Sequence, residues 1–116
     1  MAITQGMANS FKVQLLSGTQ NFNTDTFKLA LYTSSAVLGE TSTAYTTSGE
    51  CPSTGNYTAG GNTLTVSVTP TNTGNVAFVS FANTSWTNAT ITANGALIYN
   101  STNSNAAVAV LAFGGD

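Results

Sequence analysis

The sequence predicts an all-β domain, a mostly antiparallel β-sandwich or barrel-like fold, with one short helix near its N-terminus. Three observations carry that prediction. Apolar residues alternate with polar ones along several short runs, which is the period of a strand. β-branched and aromatic residues are plentiful, and both favour strands. Turn-forming clusters of Gly, Asn, Ser and Thr recur about every ten residues, and the connections are too short for helical crossovers. At 116 residues, 41% of them apolar, the chain is one domain by length and can build one core without disulfides or metals.

The helix is expected over 8–17. In MANSFKVQLLSG, Phe11, Leu15 and Leu16 stand at i, i+4 and i+5, loosely on one side. Asn9 or Ser10 can cap its start, and Gly18 can end it in the left-handed conformation. Its apolar side should pack on a sheet or on a neighbouring subunit.

The β-domain is expected over about 26–113. In 26–33, Phe27, Leu29 and Leu31 share one face and Lys28, Ala30 and Tyr32 the other, the pattern of a strand with one buried face. The stretch 34–62 is rich in Ser, Thr and Gly, with Val37, Leu38, Tyr45 and Tyr57 as scattered anchors. A structureless loop of that length is rare in a compact domain. It reads as a functional loop, or as an excursion containing a short strand or helical turn. Gly60-Gly61-Asn62 signals a turn.

In 63–69, Leu64, Val66 and Val68 alternate with polar residues, and Pro70 is expected to end the strand. A turn at 71–75 leads into 76–82, whose apolar residues on both faces predict a strand covered on both sides. Trp86 marks a short strand or edge segment. Asn94-Gly95 reads as the tight turn of a hairpin. Strands at 96–100 and 106–113 flank a polar loop at 101–105, and 114–116 reads as a frayed tail. The total is about six strands.

Charge is scarce. Only 5% of residues are charged, against about 25% in an ordinary domain. They are Lys12, Lys28, Asp25, Glu40, Glu50 and Asp116, for a net charge of −2. So little mutual repulsion suits a component of an assembly. Two isolated lysines cannot clamp a phosphate backbone, so no nucleic-acid partner is expected. No apolar run approaches the ~18 residues of a spanning helix, so no membrane association is expected. The start has neither a basic nor an apolar signal region, which points to synthesis and assembly in a cytoplasm.

The inventory for chemistry is thin. There is no His and one Cys, which removes the commonest general base, an activated thiol and a Cys/His zinc site. Cys51 reads as an incidental thiol near a loop. Glu40 and Glu50 form the sole candidate carboxylate pair for glycoside hydrolysis, and read as solvated loop acids. Asp25 and Lys28 read as a surface pair. The Gly-rich run 53–61 lacks the Lys-Ser/Thr end of a phosphate loop and reads as a turn. No catalytic residue, cofactor or metal is expected. The Asn-X-Ser/Thr triplets at Asn56, Asn83, Asn88 and Asn100 arise readily by chance in such a composition. Phe27, Phe78, Phe81 and Phe113 are assigned to the core or a subunit contact. Tyr45 and Tyr57 are the candidates for surface binding.

The segments SFKVQLLSG, DTFKLALYTSSA, NYTAGGNTL and GALIYNS with the closing AVAVLAFG together resemble a group of small virion proteins of tailed bacteriophages, including phages of cyanobacteria. The resemblance runs from Ser10 to Gly114 in one order. It implies a non-enzymatic structural part of the particle, most closely a capsid decoration (cement) protein on the outer face of the head. The partners implied are the major capsid protein and further copies of the chain, as a dimer or trimer. A tail, collar or head-fibre component with glycan or receptor binding is the alternative. The contacts expected on this reading are Phe11, Leu15, Leu16, Tyr45 and Tyr57, supplied by the helix and the 34–62 excursion.

Overall fold

A computed structural model describes residues 2–53, 55–82, 84–86 and 91–113. In chain order the elements are β1 (Ala2–Ile3), β2 (Gly6–Met7), α1 (Asn9–Ser17), β3 (Phe27–Tyr32), β4 (Val37–Leu38), β5 (Asn62–Leu64), β6 (Val66–Thr73), β7 (Val76–Phe81), β8 (Gly95–Asn100) and β9 (Ala106–Ala112). The chain is all-β with one short N-terminal helix. The described strands number nine rather than six, because the excursion and the N-terminus add short ones.

The centre is an antiparallel sheet in the order β2-β9-β8-β3-β5. β1 and β4 pair in parallel, and β6 and β7 form a separate antiparallel ribbon. The strand expected in 26–33 forms, but both of its faces are covered rather than one: Phe27, Ala30, Leu31 and Tyr32 are all buried. On one side Phe22 stacks on Phe27 at 4.4 Å and meets Phe11 of α1 edge-on at 5.9 Å. Phe81 of the ribbon adjoins both Phe22 and Phe27. Toward the other side, Ile3, Ala36, Leu38 and Tyr45 pack against Ala30, Tyr32, Leu97 and Val110. The layering is therefore sandwich-like, with the β1–β4 ladder on one face and α1 on the other. A second cluster gathers Leu31, Cys51, Tyr57 and Ala96, with Trp86 and Ile91 packed against it.

The excursion at 34–62 is neither a free loop nor a separate unit. It pairs with β1 through β4 and returns to the central sheet through an isolated bridge between Ala44 and Ala106, another between Tyr32 and Glu50, and finally β5. Beyond the end of β5, the Cys51 amide bonds to the Leu31 carbonyl at 2.9 Å and the Tyr57 hydroxyl accepts the Leu31 amide at 2.9 Å. The outer edge of β3 is thus satisfied piecewise.

Several expectations are corrected. α1 starts at an Ala8 N-cap with no side-chain bond, so neither Asn9 nor Ser10 caps it. The entry is fixed by backbone instead: Ala8 N–H bonds to the Val108 carbonyl at 2.9 Å and Asn9 N–H to the Glu40 carbonyl at 2.8 Å. Gly18 does end the helix, at φ 79°. Pro70 does not end a strand. β6 runs through it to Thr73, because the proline lies at a register shift of a two-stranded ribbon, where a missing N–H is tolerated. β7 is not covered on both sides: Val76 and Phe78 are exposed. Phe113 is exposed too, so it is not a core residue.

No hairpin turns at Asn94-Gly95. Asn94 extends the sheet through bonds to Tyr32 and Phe113, and Gly95 opens β8 opposite Ala112. Residues 84–86 form no strand; the rest of the Trp86 segment, at 87–90, and the tail at 114–116 lie outside the described residues. Asp25 does not read as a partner of Lys28. Its carboxylate accepts from the Asn100 and Asn103 side-chain amides, both at 2.8 Å, and from the Asn21 backbone. Asn100 is fully buried and also bonds Gln20, so its triplet is structural.

Candidate functional site

Tyr45 and Tyr57 come together on one carboxylate, Tyr57 buried and Tyr45 partly buried. Tyr57 is 2% exposed. Its hydroxyl donates to Glu50 Oε2 at 2.7 Å, and the Gly60 N–H donates to the same oxygen at 2.6 Å. Tyr45 donates to Glu50 Oε1 and stacks on Tyr99 at 4.7 Å between ring centroids. Tyr99 donates to the Gly60 carbonyl at 2.7 Å and Tyr32 to the Thr46 carbonyl at 2.6 Å. Burial raises the pKa of Tyr32, Tyr45, Tyr57 and Tyr99 above the ordinary 10.0, and hydrogen bonds to the Glu50 carboxylate push Tyr45 and Tyr57 further. This polar knot ties 45–61 to the sheet.

The reading of Glu50 as a solvated loop acid is corrected. Its carboxylate is the centre of the knot, and it is not paired with Glu40, which is exposed. The one local signal that could have marked it was the density of hydroxyl and Gly donors over 45–61. Cys51 is likewise no incidental loop thiol: it is buried and contacts the Thr92 carbonyl at 3.4 Å. Among the described residues no three His, Cys, Asp or Glu side chains gather to hold a metal. No helix there is long and apolar enough to cross a membrane.

The helix residues separate. Phe11 is 2% exposed and belongs to the core, so it reaches the surface only as part of a groove lining. Leu15, one turn on, is exposed and also lines the groove between α1 and the ribbon. Leu16 is 92% exposed: five positions along a helix is roughly 140° of rotation from Phe11, so the two cannot share a face. Leu16 and Val13, at i and i+3, instead present an outward apolar pair.

Between α1 and the ribbon lies an apolar groove of about 490 Å³. Phe11 and Phe22 form its floor, Met7 and Leu15 one wall, and Pro70, Ala77, Phe78 and Val79 the other. Sequence reasoning missed the ribbon side of this surface. A strand buried on both faces and a strand exposed in an assembly surface select the same residues. With Thr71 as the one polar side chain in its lining, the groove offers mainly apolar surface. It can bury apolar surface against a partner. Compared with protein families, curated proteins and solved structures, the chain matches none.

Proposed function

We infer that this chain is a non-enzymatic structural subunit of a tailed-phage particle, acting as a capsid decoration protein that binds the outer surface of the head. The observation that carries this reading is the apolar groove between α1 and the ribbon, with Leu15 and Phe78 exposed on its two sides; Val13 and Leu16 add a separate outward apolar pair on α1. Large exposed apolar patches on a small domain mark interaction sites. On a chain of net charge −2, neither partner nor neighbour is repelled. The sequence resemblance to small virion proteins supplies the identity of the lattice.

A decoration protein acts by linkage. It binds the assembled shell and not its separated parts, so each bound copy shifts the equilibrium toward the shell. Symmetric repetition multiplies the effect. The glycan- or receptor-binding alternative looks to an exposed aromatic platform near Tyr45, Tyr57 or Trp86; the Tyr45 and Tyr57 hydroxyls bond to Glu50, and Trp86 lies against Tyr57.

Cryo-electron microscopy of virions from cells making this chain tests the reading. Density spread over the capsid lattice supports it. Density confined to the tail or a fibre would transfer the chain to that alternative, and absence from the particle would overturn the assignment. The double variant Leu15→Ser, Leu16→Ser should stay folded and lose about tenfold or more in affinity for undecorated shells, since each buried leucine contributes about 1.5–3 kcal/mol. Phe11→Ser is unsuited to this test, because it opens a cavity in the core.

A further inference from the structure

The two outer edges of the ribbon are built differently. Both register shifts in the β6–β7 ladder place the extra residue on β6: Val66 and Val68 oppose Phe81 and Ser80, and Val68 and Thr71 oppose Ser80 and Phe78. Pro70 falls within the second shift. Bulges and proline are devices that stop an edge strand from accepting another strand. β7 has neither. Its sequence VAFVSF contains no Gly, Pro or charged residue. Among the described residues it pairs with β6 alone, which leaves its other edge with a row of unpaired backbone groups.

We propose that β7 is a self-pairing edge. β7 of one copy hydrogen-bonds antiparallel to β7 of a second copy about a two-fold axis, joining two ribbons into one four-stranded sheet. Three features select a second copy as the occupant. A two-stranded ribbon is marginal in water and is stabilised by further strands. No charged residue occurs between Glu50 and Asp116, so two ribbons meet without like-charge repulsion.

The third feature is that the strand is compatible with itself. Around a two-fold normal to the sheet, opposed residues share a face and so have the same parity. A register centred on Phe78 sets Phe78 against Phe78, Val76 against Ser80 and Ala77 against Val79, with an aromatic pair at the axis. Every pair in it is uncharged. Ala77 and Val79 line the groove, so pairing brings two groove walls to one axis. This proposal concerns the free chain and does not depend on the particle reading.

Sedimentation equilibrium of the full chain tests it. Val68 and Phe78 are each 39% exposed, so Phe78→Lys and Val68→Lys are matched substitutions on the two strands. The wild-type chain should have twice the 11.8 kDa protomer mass. Phe78→Lys, which opposes a lysine to itself, should weaken association by about tenfold or more. Val68→Lys should leave it intact. Phe78→Cys provides an independent arm that keeps an apolar residue at the site. Opposed Cα atoms about 5 Å apart permit a disulfide, so mild oxidation should yield a covalent dimer, whereas Val76→Cys should not.

A wild-type chain that is monomeric at about 0.1 mM, a closed trimer, equal effects of the two lysines, or no cross-link at Phe78→Cys would each overturn the proposal. A monomer that still coats shells would overturn self-pairing alone and leave the particle assignment standing.

Discussion

Tyr57 uses one oxygen twice, accepting the Leu31 amide and donating to Glu50. Removing it in Tyr57→Phe leaves a buried backbone N–H without a partner, so the loss should exceed that of an ordinary hydrogen bond: about 1–3 kcal/mol. Urea unfolding should show a lower midpoint at unchanged slope. The tyrosines also set a pH limit. Their folded pKa values lie above the ordinary 10.0 of the unfolded chain. In the window above 10 the unfolded state binds fewer protons than the folded one, so stability falls with pH. The contribution is complete below that value and is lost as pH rises through the folded values. The urea midpoint should be flat from about pH 7 to 9 and decline from about pH 10 upward; a flat profile there would show that the knot does not depend on protonated tyrosines. Beyond the density of hydroxyl and Gly donors over 45–61, none of this was legible in the local sequence. A Tyr among Ser, Thr and Gly looks like a surface residue, and the acceptor that buries Tyr57 stands seven positions away in a stretch with no strand period.

At the scale of elements, what could be read was what depends on near neighbours. The strand at 27–32 and the left-handed helix end at Gly18 are local and are present as expected. The second cover on β3 was not legible, because Ile3, Leu38 and Tyr45 come from distant segments. The same holds for β7: its composition says apolar environment without saying whose. Gly61 shows how tightly the excursion is docked. It has φ 79°, and a Cβ there would lie 1.8 Å from the Leu29 carbonyl oxygen. Gly18 has the same φ, but a Cβ there meets nothing within 4 Å. Gly18→Ala should therefore cost only the left-handed strain, about 1–2 kcal/mol. Gly61→Ala adds a backbone collision that displaces β5 from β3, and should cost more than about 3 kcal/mol or prevent folding. Thermal unfolding of the pair separates conformational strain from close approach.

For the whole molecule, the scarcity of charge noted in the sequence acquires a location. Lys12 lies on α1, Lys28 on β3, and Asp25, Glu40 and Glu50 on the segments beside them, while the ribbon carries none. The domain is therefore held by its sheet and its knot, and the ribbon is left for the self-pairing proposed above. If two copies pair through β7, folding and association are linked equilibria, and stability must rise with concentration. Each tenfold increase contributes about 1.4 kcal/mol per dimer, or half that per chain. For a domain of this size the shift in Tm is roughly 2–4 °C. Differential scanning over a hundredfold range of concentration should show that rise in the wild-type chain and in Val68→Lys. Phe78→Lys should unfold at one temperature throughout, close to the wild-type value at the lowest concentration, because the substitution touches the exposed edge and leaves the core of Phe27, Tyr32 and Leu97 unchanged. A wild-type Tm independent of concentration would mean that the ribbon is stable without a partner strand, and that its apolar edge is kept for a different surface.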